Sequence, residues 1–177
     1  MKLAELEAVV DKFAKYVVQQ AKSNLSKKGK RASGKLYNSI KPKIDVRPEG
    51  FYVYFDMEDY GVFQDKGVRG TQGYYADGNT ASSPFKFGSG TGPKGGLTTG
   101  IENWIKLKKF QFRDKRGRFM SYQSMRYIIV NSIWRNGLRA TMFFSNPFDK
   151  GIQRFGDEFL NAFLLDTEKQ VILGIKK

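Results

Sequence analysis

The segment from Ser33 to Gly67 constrains the fold most, because the spacing of its apolar residues changes there from helical to strand-like. Ile44 and Val46 alternate with polar neighbours, and residues 51–56 form an aromatic run that strongly favours a strand. The Pro-Glu-Gly sequence that ends at Gly50 joins the two runs with residues typical of tight turns. We therefore predict a β-hairpin with one aromatic face buried under a helix.

Amphipathic helices are predicted on both sides of this segment. From Leu3 to about residue 26, apolar residues recur at steps of three and four, and Gly29 follows as a C-terminal cap. Near the other end, we expect Asn146 to cap a helix that has Pro147 at its first position. Residues 171–173 either extend that helix or form an edge strand. The pattern predicts an α+β fold, with a small, mostly antiparallel sheet packed against a long N-terminal helix and a C-terminal amphipathic helix.

Between these ends, local signals predict four more elements. The first is a helix from about Gly100 to Lys109, with a capping box of Thr99 and Glu102, and the second is a small hairpin over residues 110–120 that turns at residues 114–117. The third is a helix that begins after Ser121 and ends at Asn136, and the fourth is a strand-like run from Leu138 to Phe144. Residues 59–66 are expected to form two helical turns that end at Gly67.

Residues 67–100 form a long Gly-rich loop that holds ten of the 19 glycines in the chain. Such a stretch loses too much conformational entropy on folding to order itself through its own contacts. Two interpretations stay open: a disordered insertion, or an arm that packs on a neighbouring subunit. At 177 residues the chain is the length of one domain, so we predict a single α+β domain over residues 1–177 that carries this insertion or arm.

The composition argues against catalysis. The chain contains no His and no Cys, the side chains most used for acid–base chemistry, nucleophilic attack and zinc binding. Asp56, Glu58 and Asp59 are close in sequence, but the end of a strand is a normal place for solvated acids. The Gly-rich residues 88–96 lack the strand, helix and terminal Lys-Ser/Thr of a phosphate loop. We predict no enzyme activity, no metal and no cofactor.

Targeting and membrane signals are also missing from the sequence. No apolar run approaches the ~20 residues that span a bilayer, and the first residues carry dispersed charges in place of a signal-peptide core. The lack of Cys excludes a disulfide framework. We expect a soluble protein with no membrane contact, made in a reducing cytoplasm.

The net charge of +14, from 31 Lys and Arg against 17 Asp and Glu, favours polyanions and acidic protein surfaces as partners. Aromatic residues interleaved with glycine and basic residues keep sequence-independent nucleic-acid binding open, although no DNA- or RNA-recognition signature is present. The candidate contacts to a partner or to DNA form two clusters: Lys27, Lys28, Lys30 and Arg31, and Arg113, Lys115, Arg116 and Arg118. A solvated face that keeps the chain in solution is the other interpretation of these clusters.

Several short motifs follow one another in a defined order. After the N-terminal helix come a Ser-Gly-x-Leu-x-x-Ser-Ile step, a strand pair, a Tyr-x-x-Phe-x-x-x-Gly segment and a Phe-Phe-x-x-Pro-Phe entry into the last helix. In this order the chain resembles the tail-completion and head–tail joining proteins of long-tailed bacteriophages. The residues that carry the resemblance, and that we expect to determine the fold, are Gly34, Leu36, Ile40, Tyr60, Phe63, Gly67, Pro147 and Phe148.

These motif residues have expected structural roles. Gly34 would let the chain turn from helix into sheet, and Leu36 with Ile40 would anchor that turn in the core. Tyr60 and Phe63 are three residues apart on one helical face, so we expect both to pack beneath the sheet.

The resemblance implies a structural virion protein of the bacteriophage neck. Such a protein would form a homo-oligomeric ring, hexameric or dodecameric, between a portal-side connector and a tail-side ring, with possible contact to genomic DNA in the lumen. It would be found in the virion neck, and in the host cytoplasm during assembly. Two alternatives stay open: a tail terminator protein that caps the tail tube, and a basic, sequence-independent nucleic-acid-binding protein.

Overall fold

A computed structural model describes residues 3–29, 33–47, 50–72, 83–87 and 96–175. Over these ranges the fold is mixed α+β, as predicted, with six helices and two small antiparallel sheets. The elements are α1 (Ala4–Lys27), α2 (Lys35–Ser39), β1 (Lys41–Arg47), β2 (Gly50–Asp56), α3 (Tyr60–Lys66), β3 (Val68–Arg69), α4 (Gly96–Lys108), α5 (Tyr122–Asn136), β4 (Gly137–Leu138) and α6 (Ser145–Ile175).

The chain divides into two compact units that interleave along the sequence. The first unit consists of residues 1–28, 35–58 and 143–177, and the second consists of residues 29–34 and 59–142. The single domain over residues 1–177 stays a prediction. Of the predicted Gly-rich arm, residues 73–82 and 88–95 lie outside the described residues.

The first unit is built on the packing of α1 against α6. The predicted periodicity of α1 is confirmed, because its apolar stripe from Val9 to Leu25 is buried. Gly29, with a φ of 63°, follows the last turn as expected of a C-terminal cap. The ring of Phe13 is the centre of the interface: it makes edge-to-face contacts with four other rings, at centroid distances of 5.5 to 6.4 Å. These rings belong to Phe55, Phe148, Phe155 and Phe159.

The start of α1 is held by a carboxylate from α6. Leu3, at the N-cap, makes no side-chain bond to the first turn of the helix. Asp166, which is buried, accepts hydrogen bonds from the backbone N–H groups of Glu5 and Leu6, at 3.2 and 2.9 Å. Lys169 adds an ion pair to Glu5 at 2.8 Å. Unpaired N–H groups at a helix start need such acceptors, and a negative charge there also interacts favourably with the helix dipole.

The predicted β-hairpin is confirmed as an antiparallel pair of β1 and β2, with Ile44 opposite Val53. Pro48 and Glu49 of its predicted turn lie outside the described residues. Phe55 packs into the aromatic cluster around Phe13, whereas Tyr52 and Tyr54 stack on each other, more exposed, on the other face.

A second apolar cluster in the same unit includes two of the motif positions. Leu36 and Ile40 are buried together with Leu25 and Phe143, and Gly34 precedes α2 with a φ of 77°. Ser39 closes this turn by donating a hydrogen bond to the carbonyl of Leu36 and accepting one from the N–H of Glu58. The two other motif residues of this unit, Pro147 and Phe148, lie in the first turn of α6, where Pro147 is buried and Phe148 contacts the Phe13 cluster.

The second unit depends on close backbone approach at glycine. Gly67, with a φ of 72°, and Gly137, with a φ of 92°, lie at the ends of the short β3–β4 pair. A Cβ at Gly67 would be 2.6 Å from the carbonyl oxygen of Leu138, so no larger residue fits without moving the backbone. Val68, Ile105 and Met125 are the buried apolar residues among those described in this unit.

Four local predictions need correction. The helix α4 begins at Gly96, so Thr99 lies inside it and does not cap it. The strand-like run predicted from Leu138 to Phe144 forms strand pairing only at residues 137–138. Beyond that point Met142 has a φ of 49°, and the N–H groups of Thr141 and Met142 donate hydrogen bonds to the carbonyls of Gln64 and Asp65 at the end of α3. The last helix begins at Ser145, one residue before Asn146, and residues 171–173 extend it.

The fourth correction concerns Tyr60 and Phe63. Both residues lie on α3 as expected, but they are 45% and 41% exposed, so the expectation that both pack beneath the sheet is wrong. Phe63 packs against Phe85, which comes from the Gly-rich stretch, at a centroid distance of 4.7 Å. Sequence spacing placed the two rings on one face of the helix but did not show what covers that face.

A matched pair of glycines in α6 tests the packing against Phe13. A Cβ at Gly151 would lie 2.8 Å from Cε2 of Phe13 and 3.3 Å from Cγ2 of Val17, whereas a Cβ at Gly156 would meet no atom within 4 Å. Gly151→Ala is expected to lower the free energy of unfolding by about 1–2 kcal/mol, because overpacking outweighs the gain in helix propensity. Gly156→Ala should raise it by roughly 0.5–1 kcal/mol. Urea unfolding of both variants measures the difference; equal effects would contradict tight packing at Gly151.

The capping role of Asp166 gives a second stability test. Asp166→Ala removes the acceptor of two backbone N–H groups and should lower the free energy of unfolding by about 1–2 kcal/mol. Asp157→Ala, on an exposed position of the same helix, is the control and should change it by less than about 0.5 kcal/mol. The two values come from denaturant unfolding followed by circular dichroism. Similar losses in both variants would show that Asp166 does not hold α1.

Candidate assembly surfaces

The predicted basic hairpin, residues 110–120, is organised by the carboxylate of Asp114. One carboxylate oxygen of Asp114 accepts hydrogen bonds from the backbone N–H groups of Arg116 and Arg118, at 2.8 and 2.9 Å. The other oxygen accepts a hydrogen bond from Nε of Arg118 at 3.0 Å. The carbonyl of Asp114 accepts the N–H of Gly117, whose φ of 79° suits glycine. The hydrogen bonds from Arg118, the backbone one first, and from Arg116 hold the pKa of Asp114 below its usual value of 3.8, although desolvation opposes this effect.

Arg113 reinforces the hairpin from its side. Its guanidinium donates a hydrogen bond to the carbonyl of Gly117 at 2.7 Å and lies 4.0 Å from the centre of the Phe119 ring. Arg113 and Phe119 also form the single bridge between the two arms of the hairpin. The Phe119 ring is 61% exposed, so a cation and an aromatic face are presented to solvent side by side.

The side chains of Lys115 and Arg116, at the turn of the hairpin, take no part in these bonds. Both residues are exposed, and neither side chain makes an ion pair with another residue of the described ranges. Of the four predicted contacts in this cluster, Arg113 and Arg118 therefore build the hairpin, while Lys115 and Arg116 are available to a partner.

The hairpin is anchored to α4 and α5. The N–H of Phe112 contacts the sulfur of Met125, which is fully buried, at 3.4 Å. The carboxylate of Glu102 in α4 forms ion pairs with the ammonium of Lys106, one turn later, at 2.8 Å and with the guanidinium of Arg126 in α5 at 2.7 Å. These bonds, that of Lys106 first, lower the pKa of Glu102 below 4.5. The N-cap of α5 is Ser121, as predicted, and its hydroxyl accepts the N–H of Ser124.

The other predicted basic cluster is only partly described. Lys27 and Lys28 are exposed at the end of α1, in the first unit. Lys30 and Arg31 lie outside the described residues. The hairpin belongs to the second unit, whereas Lys27 and Lys28 belong to the first.

Sequence reasoning missed the extent of exposed apolar surface on elements whose other side is already packed. Beside the basic hairpin, Leu107, Phe112, Tyr122 and Tyr127 are all exposed, with Tyr127 at 71%. On α6, a set of large residues is exposed opposite the side that packs on α1: Leu160, Phe163, Leu164 and Val171. For Leu160, Leu164 and Val171 the signal was present in the sequence, because these positions lie off the stripe that contains Phe148, Phe155 and Phe159. Phe163 follows Phe159 by four residues on the predicted stripe, and its exposure could not be read from spacing.

The same ranges contain neither an acidic cluster for a metal ion nor a helix that could span a membrane. Within them, no three acidic side chains lie close enough to hold a metal ion. None of the described helices is both long and apolar enough to cross a bilayer. In comparisons with known proteins, no family model matched the chain, and no curated protein or solved structure showed significant similarity to it.

The pKa of Asp114 predicts how the hairpin responds to acid. A carboxyl whose pKa is lowered on folding stabilises the folded turn above its unfolded pKa of about 3.8, and this contribution is lost as the pH falls through the folded pKa. We expect exchange of the Arg118 amide hydrogen, corrected for intrinsic rate, to accelerate as the pH falls below about 3.8. In Asp114→Asn this acid step should disappear, whereas Lys115→Gln should retain it. An Asp114 carboxyl that titrates by NMR at or above 3.8 would contradict this account.

Proposed function

We propose that this protein is a structural subunit of a bacteriophage neck, which associates with copies of itself as a ring that joins the DNA-filled head to the tail. The observation that carries the proposal is a pair of exposed surfaces that differ in chemistry. Each surface lies on elements whose other side is already packed within the protein. One is the apolar side of α6, and the other is the basic, aromatic surface of α4 and the hairpin. The order of the sequence motifs supports the neck as the place of assembly.

Exposed large apolar residues support association in physical terms. Monomeric proteins rarely leave large contiguous apolar patches in water, and interfaces are enriched in aromatic residues, Met and Arg. Each of Leu160, Leu164 and Val171 is more than half exposed although α6 as a whole is long and well packed. Their burial against a neighbour would remove apolar area from water at about 25 cal/mol per Å².

A ring subunit needs two different surfaces that fit each other. Contacts between unlike surfaces repeat from copy to copy and close when the rotation allows it. A high net charge of +14 opposes non-specific aggregation, so association would depend on specific contacts.

The experiment that tests this function measures mass and joining activity. Light scattering of the purified chain over a concentration series should show a defined oligomer, and electron micrographs should show closed rings. Added to filled heads and to tails from particles that lack it, the protein should restore joined particles. A monomer at every concentration that also fails to join heads to tails would refute the proposal.

The basic hairpin provides the mutational test. Lys115→Glu with Arg116→Glu should leave the circular dichroism spectrum unchanged, because neither side chain supports the hairpin, and should reduce joining by about tenfold or more through like-charge repulsion. Lys41→Glu with Lys43→Glu makes the same charge change on β1 and is the matched control. Equal joining by both double variants would show that the hairpin has no role in assembly.

Nucleic-acid binding is the alternative that one observation favours, because Arg113 and Phe119 present a cation and an exposed ring together. Duplex binding at micromolar concentration or below that falls steeply with salt, without ring formation, would support this alternative.

A further inference from the structure

The two exposed surfaces differ in charge as well as in position along the chain. The second unit holds 16 Lys and Arg against 5 Asp and Glu, a net +11, so only +3 of the total +14 remains on the first unit. A chain whose charge is divided so unevenly presents one strongly basic surface to a neighbour.

The exposed side of α6 has an acidic border. We define the outer face of α6 as Leu160, Phe163, Leu164 and Val171, which recur at helical spacing on the side away from α1. Gly156 continues this side with open space above it, since a Cβ there would meet nothing within 4 Å.

Three of the four acidic residues between residues 155 and 172 are exposed and unpaired among the described residues, and the fourth, Asp166, is buried at the start of α1. Between residues 155 and 172, Asp157, Glu158 and Glu168 are exposed and form no ion pair with a described residue. The only cation in this stretch, Lys169, is bonded to Glu5. Asp157 and Glu168 are three or four residues from members of the outer face, so this face of α6 is an apolar strip with uncompensated negative charge beside it.

The second unit has the complementary surface. We define the basic–aromatic surface as Leu107, Lys108, Lys109, Phe112, Lys115, Arg116 and Phe119 at the end of α4 and in the hairpin. Its apolar side chains are exposed to solvent: Leu107 by 53%, Phe112 by 39% and Phe119 by 61%. The cations are exposed, and none of them forms an ion pair with another residue in the described part of the chain.

We propose that the outer face of α6 of one copy docks onto the basic–aromatic surface of the next copy, as the head-to-tail contact of the ring; this inference rests on the proposed function. Apolar side chains on both surfaces would be buried, and the acidic border of one would face the cations of the other. A second copy is the occupant that the charges favour, because the same chain carries both surfaces. Pairing of α6 with α6 would instead bring two acidic borders together.

Charge reversal on each surface tests this contact. Variant A carries Asp157→Lys, Glu158→Lys and Glu168→Lys, and variant B carries Lys108→Glu, Lys115→Glu and Arg116→Glu. Each variant alone should raise the dissociation constant for self-association by about tenfold or more, because like charges would face each other. The six-fold variant with both sets should recover the wild-type value to within about threefold, since every facing pair is opposite again.

Matched controls separate a specific contact from a general charge effect. Both controls change exposed positions in the first unit. The control for variant A makes the same charge change with Glu7→Lys, Asp56→Lys and Glu58→Lys. The control for variant B does so with Lys12→Glu, Lys41→Glu and Lys43→Glu. These controls should associate as the wild type does. Circular dichroism and light scattering at fixed ionic strength are measured for every variant.

The outcomes distinguish the two proposals. A wild-type protein that forms rings while A and B associate normally, or while the combined variant stays weak, would overturn this contact and leave the neck function standing. A wild-type protein that neither associates nor joins heads to tails would overturn both. Association that requires added duplex DNA and disappears with nuclease would assign the basic–aromatic surface to nucleic acid and would also overturn the contact.

Discussion

The burial of Phe13 between α1 and α6 is the interaction on which the first unit depends. Its ring contacts four others edge to face, and such pairs each add about 0.5–1.5 kcal/mol beyond the area they bury. The absence of a side chain at Gly151 allows this close approach. Because the cluster and the Asp166 cap fix the rotation of α6 about its axis, they also determine which residues of that helix remain exposed.

The exposed surfaces follow from this arrangement. A helix of 31 residues with apolar residues on more than one side cannot cover all of them with a single partner helix. The acids of α6 and the cations of the hairpin lie in different units, and their opposite charges suit an association between unlike surfaces. Within the hairpin, Asp114 and two arginines use their charges for structure, which leaves Lys115 and Arg116 for binding.

Local signals predicted much of the fold. The helical spacing of α1, the alternation at Ile44 and Val46, the Ser121 cap and the turn at Gly117 were correct, because each depends on neighbours within a few residues. The predictions failed where distant contacts decide. The helix α4 begins at Gly96, so Thr99 lies inside it, and the carboxylate of Glu102 bonds Arg126 of α5, 24 residues away, in place of a cap.

Neighbouring residues were enough to predict the fold class, the long terminal helices, the hairpin and the position of the basic cluster at Arg113–Arg118, because periodicity, capping residues and charge are properties of short segments. Which faces are covered follows from how these elements pack together. This packing exposed Tyr60 and Phe63, buried Asp166 at the start of α1 and left Leu160 and Leu164 in solvent. The physical reason is that burial depends on packing between residues far apart in the chain, which spacing along one helix does not reveal.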